Sequence, residues 1–118
     1  MQLDPAARLW LDKVAAGTLF PAWPAHLYVE VAHVLVRFVR VGALGVERAG
    51  DIYRDLRSIR AHVDLAETME GGMAVALERG LSVYGAAYAV LAESLDAPLV
   101  TADRSLAQAA NGAVLLPG

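Results

Sequence analysis

The sequence contains no cysteine. That excludes disulfides and thiolate metal centres and leaves oxygen and imidazole as the available metal ligands. No uninterrupted apolar run reaches the ~18 residues of a membrane span, and nothing at the N-terminus joins a basic region to an apolar signal core, so a cytoplasmic protein with no membrane segment is expected. A net charge of -3 does not describe a general nucleic-acid binder, because phosphate affinity is built from basic residues; any RNA contact has to use a local patch. Gly-rich phosphate loops, GxSxG elbows and P-loops are absent, and His26, His33 and His62 lack an HxxxH spacing, which favours structural or surface roles for them. What the chain has in excess is apolar residues, 57% of 118. That surplus predicts an apolar surface meeting a partner, and the length predicts a single domain over residues 1–118.

Asp4 and Pro5 suit the N-cap and first position of a helix carrying Leu9, Leu11 and Val14, which Gly17 stops. Thr18 to Phe20 then reads as a short strand ending at Pro21. From His26 to Val41 the sequence is apolar almost all round, but Glu30, His33, Arg37 and Arg40 recur every three or four residues as one polar stripe. A helix of this kind needs covering on most sides, by core and by a second subunit. Val46, Ala49, Ile52, Tyr53, Leu56 and Ile59 mark another amphipathic helix. On its outer face Arg54, Arg57 and Arg60 interleave with Asp51 and Asp55, a pattern that favours ion pairs on a solvated face over phosphate contacts. Val63 and Leu65 alternate as in a short edge strand, and Met69, Met73 and Leu77 step along a helix ending at Gly80, weakened by Gly71 and Gly72 at roughly 1 kcal/mol each.

The chain is organised around Leu81 to Asp103. Ser82 suits an N-cap, and Val83, Ala86, Ala87, Val90 and Leu91 follow at helical spacing. Pro98 ends that helix, and Leu99 to Thr101 reads as a parallel strand covered on both faces. Asp103 falls just beyond its C-terminal end, where open α/β sheets carry their functional groups, with a helical pattern resuming from Arg104 to Ala110. That helix fades near Asn111 and Gly112, leaving Ala113 to Leu116 as a last strand. Helices and strands alternate, so the expected fold class is α/β, a parallel β-sheet flanked by helices.

Two segments here, Leu81-Ser82-Val83-Tyr84-Gly85-Ala86-Ala87-Tyr88 and Leu99-Val100-Thr101-Ala102-Asp103-Arg104, resemble the C-terminal half of PIN-domain proteins, especially the VapC-like toxin ribonucleases. The likeness extends more weakly over nearly the whole chain. It implies a PIN-like sheet built round a first strand that ends in an aspartate, with the equivalents of Thr18–Phe20 and Leu99–Thr101 on either side. This chain starts too late to supply that central strand, which is expected to be missing. Either the neighbouring strands close up, or another chain supplies the pairing, or the natural start lies upstream.

The resemblance also implies Mg2+- or Mn2+-dependent cleavage of RNA by the toxin of a toxin-antitoxin pair, with carboxylates gathered round the metal. Glu30 and Asp103 match two of the family's four acids and would be the catalytic metal ligands, with Thr101 facing the substrate. The first-strand aspartate has no counterpart, and Gly85 stands where a further acid is usual. Catalysis is therefore expected to be impaired. The rival expectation is an inactive PIN module that forms a homodimer and holds an antitoxin-like partner. Without the resemblance, Glu30 reads as a member of the polar stripe, paired with His33 or solvent. Asp103 reads as the cap of the helix behind it.

Overall fold

The computed structural model describes residues 5–110 and 113–116. The expected cap at Asp4 and the fading of the last helix near Asn111 and Gly112 lie outside the described residues. Helix α1 (Pro5–Ala15) leads into strand β1 (Ala22–Pro24), then α2 (Leu27–Arg40), α3 (Val46–Ser58) and β2 (His62–Asp64). Next come α4 (Met69–Arg79), α5 (Val83–Ser94), β3 (Val100–Thr101), α6 (Arg104–Ala109) and β4 (Val114–Leu115). Strands β1 and β2 pair in parallel, with Trp23 opposite Val63, and β3 and β4 pair in parallel, with Val100 opposite Val114. The α/β class with parallel strands flanked by helices is thus realised, but as two separate two-stranded sheets. Strands β1 and β3 have not closed up on each other.

The first strand lies later than the apolar pattern suggested. Gly17 takes a left-handed conformation, φ 75°, and the N–H groups of Thr18 and Leu19 turn back to the Lys13 carbonyl at 3.0 and 3.3 Å. Those residues are used to finish α1, so pairing begins at Ala22 and Phe20 is left 71% exposed. In β2 the in-out pattern is also reversed. Asp64 is the buried residue, accepting from the Thr68 hydroxyl at 3.2 Å, while Leu65 lies outside the strand and is exposed.

Helix α5 begins as its sequence dictates, with the Ser82 Oγ accepting from the Gly85 N–H at 3.0 Å. It buries Ala86, Ala87, Ala89 and Leu91, leaving Val83 exposed, and packs closely on α4. The contact face of α4 is made of small residues: Gly72 and Ala76 are buried, and a Cβ at Gly71 would stand 3.6 Å from Val90. Met73 and Leu77, which step along this helix in the sequence, face outward at 53% and 88% exposure. The two glycines cost helix propensity, and a Cβ at Gly72 would crowd Met69 of the same helix at 3.2 Å.

Ala89, Leu99 and Leu106 form the core where α5, the start of β3 and α6 meet, with Leu81, Tyr88 and Ala110 packed around it. The α3 surface carries an Arg54–Asp51 ion pair, and the Arg57 guanidinium lies 4.6 Å from the Tyr28 ring centre. The paired, solvated face is what the sequence predicted there. Among the described residues no helix is long and apolar enough to cross a membrane.

Candidate functional site

Glu30 lies in the first turn of α2, exposed, and points one oxygen at the neighbouring α5. There the Tyr88 hydroxyl donates to Glu30 Oε1 at 2.7 Å. Burial, reinforced by this bond and by the negative charge of Glu30, holds the Tyr88 phenol well above its usual range, so it remains a neutral donor. The His26 Nε2 approaches the same oxygen to 3.2 Å. That approach is close but poorly aligned: the nitrogen is shielded and makes no hydrogen bond among the described residues. The His26 ring stands edge-on to Tyr84 and Tyr88, with centroids 5.4 and 5.2 Å away. The protein neighbours of this oxygen are therefore Tyr88 and His26 and not His33, while the Glu30 side chain stays half exposed to solvent.

Asp103 sits on the loop after β3, exposed, and its Oδ1 accepts from the Leu106 N–H at 3.1 Å as the N-cap of α6. The Thr101 hydroxyl accepts from the Asp103 N–H at 3.0 Å, which fixes the turn that presents the carboxylate. The helix-capping role is realised, and Oδ2 has no partner among the described residues.

Helix α5 connects the two acids. Tyr88 reaches Glu30 from one turn, and a Cβ at Gly85, on the preceding turn, would stand 4.0 Å from the side chain of Leu106, the residue whose amide Asp103 caps. Tyr88 packs against the core, while Tyr84 is 66% exposed. Neither contact was read from the sequence: the i,i+4 spacing of His26 and Glu30 is a local signal that was passed over, and Tyr88, 58 residues from Glu30, gave none.

No protein-family model matches the sequence. The chain is 36% identical over 83 residues to "Ribonuclease VapC3" of Pyrobaculum aerophilum, an alignment covering 67% of this chain and 63% of that protein. It thus spans a little under two thirds of that relative's length. The crystal structure of PAE2754 from Pyrobaculum aerophilum superposes with a TM-score of 0.70 and 31% identity over 79% of this chain and 69% of that one. The chain belongs to the VapC-like PIN family.

In this VapC-like chain the side chains do not assemble the metal site that the family resemblance implies. A hard divalent cation wants about six oxygen ligands. Among the described residues no group of three or more His, Asp or Glu could hold one. Glu30 has one oxygen engaged by Tyr88, Asp103 has one engaged by its own helix, and Gly85 offers none. The described residues do not fit the ion.

Proposed function

We propose that this protein is a ribonuclease-type PIN module of a toxin-antitoxin pair in which hydrolysis is impaired. What carries the reading is the state of the two matched carboxylates: Glu30 is tied to Tyr88 and Asp103 to the α6 amide, with glycine at the position between them. RNA is the substrate class and an antitoxin-like protein the partner. The likeness to a named ribonuclease supports the first, and the resemblance to toxin-antitoxin PIN proteins supports the second. Glu30 and Asp103 are the candidate ligands for Mg2+ or Mn2+, and Thr101 the candidate substrate contact.

Calorimetric titration with Mn2+ tests the reading directly. Little or no heat is expected from the chain, and the same from Asp103→Ala. Saturable binding that disappears with Asp103→Ala would show a working site and end the claim of impairment.

The second reading is an inactive module that acts through self-association and antitoxin binding. Val29, Val36 and Val41 on and just after α2, with Val46 at the start of α3, are 71%, 44%, 76% and 74% exposed. Large apolar residues left in water along α2 and into the start of α3 favour a homodimer. A dimer mass by light scattering at micromolar concentration is the expected result, and a monomer would count against it.

A further inference from the structure

Tyr84 stands in water close to the candidate acids. It is the second residue of α5, 66% exposed, and its hydroxyl makes no hydrogen bond among the described residues. Tyr88, one turn further along the same face, is half-buried and commits its hydroxyl to Glu30. The two tyrosines share an edge contact with the His26 ring, centred 5.4 Å from Tyr84 and 5.2 Å from Tyr88. Tyr88 is thus fixed at both ends, whereas Tyr84 is held on one side by His26 and open on the rest. A large ring left in water beside a candidate site is a free surface for a ligand with an apolar face.

The neighbouring groups define that ligand. Tyr84 lies outside the apolar cavity lined by Trp10, Phe20 and Leu99, so its ring is not the rim of a groove that an apolar peptide side chain would fill. A Cβ at position 85 would stand 4.0 Å from the Leu106 side chain, so the first turn of α6 lies against the first turn of α5 at this point. That turn of α6 begins with Arg104, exposed and without an ion-pair partner among the described residues, which leaves a cation free for a phosphate. Gly85 places no carboxylate next to the ring to repel one. A nucleotide offers both features at once, a flat apolar base and a phosphate. Stacking on a side chain needs a base released from its partner, so the strand is single.

We propose that Tyr84 is a base-stacking residue, holding an unpaired base of single-stranded RNA on its exposed ring beside the Glu30–Tyr88 pair. This rests on RNA as the substrate class and adds to it a residue and a strand state. Neither the ring nor Arg104 draws on a metal ion, so the contact forms without one.

The probe is a fluorescein-labelled decaadenylate RNA in EDTA, so that binding is read without metal or cleavage. Fluorescence anisotropy with the full chain should rise to saturation, and unlabelled poly(A) should compete well where the poly(A)·poly(U) duplex competes poorly. Tyr84→Ala and Tyr84→Leu should each weaken binding about tenfold or more, whereas Tyr84→Phe should stay within about twofold, because the π face makes the contact and neither the hydroxyl nor apolar bulk replaces it. Circular dichroism checks that each variant is folded, as substitution of so exposed a residue should allow. Saturable binding that Tyr84→Ala leaves unchanged would keep RNA as the substrate class and overturn the role of Tyr84. Binding that leucine supports as well as tyrosine would overturn it too. No saturable binding by the folded chain would overturn both the role and the substrate class. A dimer mass that falls with Tyr84→Ala, with RNA affinity unchanged, would assign the ring to a protein interface and overturn the proposal equally.

Discussion

Gly85→Asp is expected to raise Mn2+ affinity by at least tenfold, equivalent to about 1.4 kcal/mol, and to stabilise the chain even without metal. The added Cβ fits. It would meet the Ser82 Oγ at 3.4 Å and the Leu106 side chain at 4.0 Å, both contacts that small movements accommodate, and the position has no left-handed φ. Position 85 is also the third residue of α5 after the Ser82 N-cap. A carboxylate there reaches back towards the cap as in a capping box, favours the helix dipole, and replaces a poor helix former. Together these gains are about 0.5–1.5 kcal/mol, read as a higher urea midpoint at pH 7.

The two readouts separate the possibilities. The stability gain depends only on the local helix start, whereas the affinity gain needs Asp103 and Glu30 to share the new acid's space. A variant that is more stable yet binds no Mn2+ would show that restoring this acid does not rebuild a metal site, and the reading of the protein as a binding module would then stand alone. Adding Asp103→Ala to the variant should abolish the gained affinity, and the stability gain should persist relative to Asp103→Ala alone, which itself loses the α6 cap.

Much of this arrangement was legible because its signals are local. Ser82 three residues before Gly85, and Asp103 three before Leu106, are cap geometries written in consecutive residues, and both are realised as side chains accepting from those amides. The strand at Ala22–Pro24 was not legible in the same way. Thr18 to Phe20 has the apolar composition of a strand, but the left-handed Gly17 commits its first amides to α1. A closing turn overrode composition.

The buried face of α4 was missed for a different reason. Hydrophobic periodicity gives weight to Met69, Met73 and Leu77 and none to glycine, yet the residues that α4 buries are Gly72 and Ala76. At the candidate site the acids were legible from their place in a recognised pattern, and so was the Asp103 cap, but the partners of Glu30 were not. Tyr88 joins Glu30 only once α5 lies beside the start of α2. The consequence is chemical as well as structural, because an acid bonded to a neutral phenol has less free oxygen to offer a cation.

Leu106→Ala is expected to cost about 2–5 kcal/mol, a large part of the roughly 5–15 kcal/mol that holds a domain of this kind together. Leu106 is 6% exposed and packs with Ala89 and Leu99, so its loss opens a cavity between helices whose other contributions are mostly alanine. Small neighbours have few rotamers with which to fill the space, which places the cost towards the upper end. Its amide also receives the Asp103 cap, and its side chain lies under position 85, so the same change loosens the turn that presents the carboxylate. Leu77→Ala is the matched control. It removes the same atoms from a side chain 88% exposed and should shift stability by no more than about 0.5 kcal/mol. Urea unfolding at two protein concentrations distinguishes the outcomes. Equal losses for the two variants would mean that Leu77 is buried after all, and if its loss grew with protein concentration, the burying surface would belong to a second subunit.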